Sequence, residues 1–172
     1  MVTKGRPMFE RERKLYEFML GYCKMLAKDI DDAKMATSPG PGVNHPAWIL
    51  THLALATDYA ARQLGEPAKC PKDWHQKCGP GSKLLSDRSA YASKQELMAA
   101  LEAGHARVSE AVAKASDELL RKPHTVEFDI IKRTLPTVGD LVAHLMTTHV
   151  GIHAGQLSMW RRMMGMPGVL PI

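Results

Sequence analysis

The sequence has no long apolar segment. None of its 172 residues lies in a run approaching the roughly 18 consecutive apolar residues of a membrane-spanning helix. The N-terminal stretch from Met1 to Arg13 is polar and charged, so it lacks the apolar centre of a secretory signal peptide. These absences predict a soluble protein that has no membrane partner.

Cysteine is scarce as well. The three cysteines, Cys23, Cys70 and Cys78, are an odd number and too few for a disulfide framework, which predicts a reducing, cytoplasmic location. A chain of 172 residues can bury about two-thirds of its unfolded surface without such crosslinks. We therefore expect residues 1–172 to form a single domain.

Aromatic residues make up only 6% of the chain, which leaves few side chains for stacking on the bases of a single strand. The formal net charge is +5, but the basic residues are scattered and alternate with glutamates over residues 10–17. Nucleic-acid binding needs clustered positive charge. The composition therefore predicts a mildly basic surface and no nucleic-acid partner.

What the sequence does contain is four long stretches with apolar residues at helical spacing. They cover about residues 8–36, 45–64, 93–121 and 137–165. Alternation typical of a strand is confined to the short segment from Thr125 to Ile131, where we expect an extended piece but no sheet. The pattern predicts an all-α four-helix bundle with a long connection, residues 66–92, between the second and third helices.

Capping residues support these helix starts. Ser93-Lys-Gln-Glu96 and Thr137-Val-Gly-Asp140 are capping-box patterns. Asn44 or His45 is in capping position before Pro46. The residues expected to face the core from the first helix are Leu15, Phe18, Met19, Tyr22, Met25, Leu26 and Ile30, with Cys23 as a small core residue beside them. Those of the last are Val138, Leu141, Val142, Leu145, His149, Ile152, His153, Gln156, Trp160 and Met163.

Two histidines of the last helix share its apolar face. His149 and His153 are four residues apart, which is about 40° around a straight helix. On the second helix, His52 occurs at helical spacing with Trp48, so it is also expected to face inward. His144 lies about 140° from His149, so we predict that it is at the surface or at an interface.

Three inward imidazoles on two helices can hold one metal ion and leave a coordination position open, as catalytic sites do. Imidazole suits Zn²⁺, Ni²⁺, Fe²⁺ and Cu²⁺. The alternative is that each ring is a hydrogen-bonded core residue. A zinc protease would have glutamate directly after the first histidine of the pair. Here Val150 occupies that position, which argues against protease chemistry.

Other polar residues are candidates for the same site. Tyr59 follows His52 by two helical turns and Gln156 follows His153 by nearly one, so both are candidate helpers for substrate or ligand. Asp58 is predicted at the surface. Cys70 and Cys78, with Trp74 and His75 between them, suggest either a second metal site or, more consistent with their spacing, a lid in which Trp74 covers the substrate.

The motifs Trp48-Ile-Leu-Thr-His52-Leu and His149-x-x-x-His153-Ala-Gly-Gln156 resemble the DinB/YfiT-like superfamily. The resemblance extends over essentially the whole chain. It implies an up-down-down-up four-helix bundle, commonly a homodimer, with a divalent metal, nickel or zinc, held by His52, His149 and His153. In that family an upstream histidine often precedes the middle ligand by four residues, whereas His144 precedes His149 by five.

The function that the resemblance implies is enzymatic. Family members include S-transferases and isomerases that use a low-molecular-weight thiol such as bacillithiol, mycothiol or glutathione. We therefore expect a metal-dependent enzyme with a small-molecule substrate, most consistent with thiol S-transfer. The alternatives are a metal-dependent hydrolase and a non-catalytic metal-binding or stress-related interaction protein.

Overall fold

Helices form the regular structure of residues 9–170, the part of the chain that the computed structural model describes. The helices are α1 (Glu10–Ala27), α2 (Pro46–Gln63), α3 (Lys72–Cys78), α4 (Lys94–Lys114), α5 (Asp117–Leu120), α6 (Asp129–Thr134), α7 (Val138–His144) and α8 (Val150–Met163). A π-helical turn, Leu145–His149, joins α7 to α8, and single 3-10 turns occur at Asp32–Lys34 and Arg88–Ala90. Within residues 9–170 there is no strand, which confirms the all-α prediction. No helix in this part of the chain is long and apolar enough to cross a membrane.

Both predicted capping boxes are present. The Ser93 hydroxyl accepts a hydrogen bond from the Glu96 backbone N–H, and the Glu96 carboxylate accepts one from Ser93 N–H. Thr137 and Asp140 make the same reciprocal pair at the start of α7. These contacts satisfy backbone donors that have no partner inside the helix, so local sequence alone places the two helix starts.

His45 caps α2. Its Nδ1 accepts a hydrogen bond from Trp48 N–H, and because Nδ1 is an acceptor the ring proton is on Nε2, which donates to the Leu85 carbonyl at 2.8 Å. The ring is fully buried, and burial lowers the pKa of His45 below its ordinary value of 6.5. The neutral ring therefore joins the start of α2 to the connection between α2 and α4.

We expect His45→Asn to make the free energy of unfolding less dependent on pH below about pH 6.5. Because the folded pKa of His45 is lowered, the unfolded chain binds more protons below about pH 6.5, and the free energy of unfolding falls as the pH falls. Asparagine can cap the helix but does not titrate, and it loses the bond to Leu85. It should lower stability near neutral pH by about 1 kcal/mol and reduce the slope below about pH 6.5.

Urea unfolding at several pH values measures both effects. His75→Asn is the matched control, because His75 is exposed. It should follow the wild-type profile. An unchanged slope for His45→Asn would contradict this role for the buried ring.

α1 ends nine residues earlier than predicted, at Ala27 instead of Ala36. Its terminal carbonyl groups are satisfied by cations from distant parts of the chain. Arg161 of α8 donates to Leu26 O, at 2.9 Å. Lys94 Nζ, at the start of α4, donates to the carbonyls of Ala27, Lys28 and Ile30. No local sequence signal marks this end, because the capping groups are brought there by tertiary packing.

The buried face of α1 is also rotated relative to the prediction. Leu15, Phe18 and Met25 are 53%, 57% and 41% exposed, so their placement in the core was wrong. Tyr16 and Cys23 face inward instead, which confirms Cys23 as a core residue. A wide apolar arc allows several orientations, and the contacts with α4 and α8 select one of them.

The third predicted helix is divided in two. α4 ends at Lys114 because Ala115 is extended, with ψ 136°, and the Ser116 side chain then caps α5 by accepting from Leu119 N–H. The connection that follows was expected to contain an extended piece. The last part of the predicted extended piece, from Asp129, belongs to the short helix α6 instead.

The π-helical turn changes which residues of the last helix face inward. A π turn contains one more residue than an α turn, so the residues after it are displaced by about one position around the helix. Accordingly Ile152 and Met163, expected in the core, are 57% and 49% exposed, whereas Ala154 and Leu157 are fully buried. Gln156 is exposed as well.

Asp58 was predicted at the surface, and this was wrong, because it is 1% exposed. Its Oδ1 accepts from Arg107 Nη1 at 3.0 Å and from Lys69 N–H at 2.7 Å. Arg107 also donates to the Pro67 carbonyl. The pair thus links the start of the long connection to α2 and α4. The prediction from helical phase failed because Arg107 lies on another helix and is not visible in the sequence around Asp58.

α2 and α4 pack closely at Gly104. A Cβ atom at this position would lie 1.9 Å from Thr57 Oγ1, and the Thr57 hydroxyl is itself bonded to Ala54 O. We expect Gly104→Ala to lower the free energy of unfolding by about 2 kcal/mol, because the helices must separate. Gly155→Ala is the control: its Cβ meets nothing within 4 Å. It should stabilise by about 0.5–1 kcal/mol through helix propensity.

Urea denaturation compares the two alanine variants under identical conditions. Equal midpoints for Gly104→Ala and the wild type would show that α2 and α4 can separate at no cost.

Candidate metal centre

Three histidines from two helices meet at one point. His52 comes from α2, His149 is the last residue of the π turn, and His153 lies one turn into α8. One ring nitrogen from each can be chosen so that all lie within 4.8 Å of one another. The structure therefore brings together the same three histidines that helical phase selected from the sequence.

Hydrogen bonds on the far side of two rings orient them. His52 Nδ1 lies 2.7 Å from the Cys78 carbonyl, and His153 Nδ1 lies 3.0 Å from Gln156 Oε1. Both partner oxygens are acceptors, so Nδ1 carries the proton in each ring and Nε2 is left with a free lone pair. Such outer partners orient histidine ligands in metal proteins.

The spacing of the rings fits a metal ion. His52 Nε2 and His149 Nε2 are 3.3 Å apart, and two nitrogens bound at about 2.05 Å to one tetrahedral ion would also lie about 3.3 Å apart. His149 Nδ1 is buried and has no hydrogen-bond partner among residues 9–170. The donor set consists only of imidazoles, which suits Zn²⁺, Ni²⁺ and other first-row transition metals.

All three rings are neutral at neutral pH. Burial, followed by the proximity of His153, His52 and His144, lowers the pKa of His149 to about 3. Burial and the proximity of His52 lower the pKa of His153 to about 4, and burial also lowers that of His52. Neutral imidazoles have lone pairs available for a cation, and they do not neutralise its charge.

Trp48 braces the site. Its indole lies parallel to the His52 ring, with the ring centroids 4.8 Å apart and an angle of 8° between the planes. Trp48 Nε1 donates to Ser82 Oγ in the long connection. The indole thus packs against one face of the His52 ring, while the hydrogen bond to the Cys78 carbonyl fixes its Nδ1 edge.

His144 is half-buried and outside the group of three histidines, but it lies next to that group, which the straight-helix projection did not predict. Its ring centroid is 5.7 Å from that of His149, and it lines the same pocket. The π turn explains the difference, because five residues then make about one turn and place His144 beside His149. The ring is held by Thr148 Oγ1, 2.7 Å from Nδ1. In the sequence, the only indication of this position was that His144 precedes His149 by five residues where the family often has four.

A pocket of about 540 Å³ opens beside the three histidines. One wall is the face of α2, and the other is α7 with the π turn. The segment from Thr125 to Ile131 covers it, and the end of α3 borders it. Its apolar lining side chains are Leu55, Ala56, Pro80, Val126, Phe128, Ile131, Leu141 and Leu145. The pocket therefore gives a small molecule an apolar path to His52 and His149.

The two candidate helpers lie at different places. Tyr59 lines the pocket, and its hydroxyl is 3.3 Å from Thr125 Oγ1. Gln156 is outside the pocket lining and is hydrogen-bonded to His153. Arg62 and Phe128 also line the pocket, and sequence reasoning missed both. Neither had a clear sequence signal: ten residues place Arg62 about 80° from His52 around α2, and Phe128 lies in a connection.

The long connection does not form a second histidine–cysteine cluster among residues 9–170. Cys78 is buried and contributes its backbone carbonyl to His52, and Cys70 donates weakly to Ala54 O. Trp74 packs against the hydrophobic core and is not part of the pocket lining. The cover over the pocket comes instead from the connection between α5 and α7.

Comparison with known proteins agrees with this fold. A crystal structure of the conserved protein of a locus from Enterococcus faecalis superposes with a TM-score of 0.70 and 17% identity, over 92% of this chain and 98% of that chain. At that identity the likeness concerns the fold alone. No curated protein matches this sequence. The family model of the DinB superfamily matches residues 16–157, which contain all three histidines of the site. The chain therefore belongs to the DinB superfamily.

Proposed function

We propose that this protein is a metal-dependent enzyme that transfers a small thiol to an electrophilic substrate. His52, His149 and His153 would hold a divalent transition metal, nickel or zinc. The observation that carries the proposal is the convergence of three neutral imidazoles at the side of an apolar pocket. A site of three protein ligands leaves a coordination position for a substrate, as catalytic metal sites do.

The proposed reaction is a nucleophilic substitution at carbon. A divalent metal supplies a Lewis acid that favours the thiolate form of a thiol near neutral pH. The thiol proton is released to solvent, the sulfur forms a bond to the electrophilic carbon, and the leaving group departs with the bonding electrons. The walls beside the histidines are mostly apolar and hold few groups that could position or activate a water molecule, which favours transfer over hydrolysis.

Two residues of this chain have supporting roles in the proposal. Gln156 Oε1 accepts a hydrogen bond from His153 Nδ1–H, which keeps the proton on Nδ1 and leaves Nε2 free for the metal. Tyr59 faces the pocket from α2, and its hydroxyl is placed to donate a hydrogen bond to a bound substrate. The carboxylate needed for general-base hydrolysis is absent after His149, where Val150 stands, and Glu127, at the pocket rim, is paired with Lys132.

Turnover with small thiols tests the proposal. Protein loaded with Ni²⁺ or Zn²⁺ is mixed with glutathione or a related thiol and a chlorinated nitroaromatic acceptor, and chloride and thioether are measured. We expect product only with metal, lost with a chelator and restored by adding the metal. Ester hydrolysis without thiol would instead identify a hydrolase. Bound metal with neither reaction would identify a non-catalytic metal-binding protein.

The remaining family properties belong to the same proposal. We infer the up-down-down-up helix order and a homodimer, and apolar side chains of α1 and α8 are available for pairing: Leu15, Phe18, Met25, Ile152, Met159 and Met163 are each about half exposed. Sedimentation equilibrium tests the dimer. Three free cysteines among the described residues and a thiol co-substrate suit a reducing, cytoplasmic location.

A further inference from the structure

Arg62 is the charged group at the far end of the pocket from the histidines. It follows His52 by ten residues on α2, so its Cα lies about 15 Å farther along the helix axis. In a helix the Cα–Cβ bond is inclined toward the N-terminus, which for Arg62 is the side of His52, and Arg62 lines the pocket although it is exposed. The pocket therefore has a basic end and a histidine end.

The positive charge of Arg62 has no ion-pair partner in the part of the chain that the structure describes. No carboxylate of residues 9–170 forms an ion pair with Arg62. Glu127, the one carboxylate in the pocket lining, pairs with Lys132 at 2.5 Å and points largely to solvent. The guanidinium is thus available for an anion, and its planar donors match a carboxylate.

The space between the two ends is apolar. Leu55 and Ala56 line it from α2, and Val126, Phe128 and Ile131 cover it. Phe128 is 56% exposed and Ile131 is partly exposed, so apolar surface at the mouth remains to be covered. Burying that surface against a ligand would contribute about 25 cal/mol per Å².

We propose that the pocket selects an amphiphilic small molecule: Arg62 binds a terminal carboxylate, and the apolar walls bind the body. A metal-binding atom at the opposite end of the molecule, such as a thiol sulfur, then lies at His52, His149 and His153. Recognition of the carboxylate is a property of the pocket, whereas this last contact rests on the proposed metal-dependent function. Arg62 is accordingly a residue that determines substrate specificity.

Two probes of equal length test the inference: mercaptohexanoate, which has a carboxylate, and mercaptohexanol, which has a hydroxyl in its place. Calorimetric titration of metal-free protein measures their affinities. Because Arg62 is exposed, we expect the carboxylate to bind about two- to fivefold more tightly than the alcohol. Arg62→Gln should remove that difference.

Arg162→Gln is the control, because it removes the same charge from an exposed residue outside the pocket. It should preserve the preference for the carboxylate. Equal affinities for the two probes in the wild type, or an equal loss of preference in both variants, would overturn the inference.

Cobalt-loaded protein separates this inference from the proposed function. Both probes should give a cobalt–thiolate absorption band. Mercaptohexanoate should saturate at about two- to fivefold lower concentration than mercaptohexanol, and this difference should disappear when Arg62 is replaced. Absence of the band with both probes would count against the metal function alone, because the metal-free titration does not depend on it. A band with no difference between the probes would overturn the role of Arg62.

Discussion

Replacement of His149 by alanine is expected to abolish metal binding. His149 contacts both other rings: its Nε2 lies 3.3 Å from His52 Nε2, and its ring centroid lies 4.6 Å from that of His153. Without it only two of the three proposed ligands remain. Loss of an outer hydrogen-bond partner lowers metal affinity about 10–100-fold, and loss of a ligand should lower it further. Elemental analysis of protein purified without a histidine tag should give about one first-row metal per wild-type chain and almost none for the variant.

Two further variants serve as a control and as an intermediate case for metal affinity. His75→Ala removes an exposed histidine at the pocket rim and should retain the metal. Gln156→Leu removes only the acceptor of the His153 Nδ1 proton and should weaken binding about 10–100-fold. Full metal occupancy in His149→Ala would refute the three-histidine site.

Arg107→Leu should produce the largest loss of stability. It would leave the Asp58 carboxylate, 1% exposed, with the backbone N–H of Lys69 as its remaining donor. Removing one partner of a buried ion pair typically costs 3–5 kcal/mol, and because Arg107 is 21% exposed we expect about 3 kcal/mol. The measurement is the urea midpoint at constant denaturant slope.

The double variant Asp58→Asn with Arg107→Leu separates the charge from the packing. Asparagine can keep the bond from Lys69 without a buried charge, so the pair of changes should recover most of the loss. Arg121→Leu is the control, since Arg121 pairs with Asp117 at the surface and should change stability by less than about 0.5 kcal/mol. Equal losses for Arg107→Leu and Arg121→Leu would refute the buried-pair account.

Helix starts were predictable because their signals are local. Ser93, Thr137 and His45 each form the cap expected of them, and each bond spans three residues. Helix ends were predictable only when the cap was local too. Gly165, at φ +72°, ends the last helix as predicted, whereas the end of α1 depends on Lys94 and Arg161 from other helices.

The histidine triad was predictable to the extent that helical phase is regular. His149 and His153 are four residues apart and His52 lies on an inward face, so a straight-helix projection was enough to select them. The same projection failed for His144, because the π turn lies between it and α8. Such a turn is stabilised by packing around it, and a projection of the sequence assumes that it is absent.

By itself the sequence determined the all-helical class, the main helix starts and the three histidines, because caps and helical periodicity act over a few residues. Only the tertiary structure decided which arc of α1 is buried, that Asp58 is paired with Arg107, and that Arg62 and Phe128 border one pocket with the histidines. These features join residues far apart in the chain, and their geometry depends on how the helices pack.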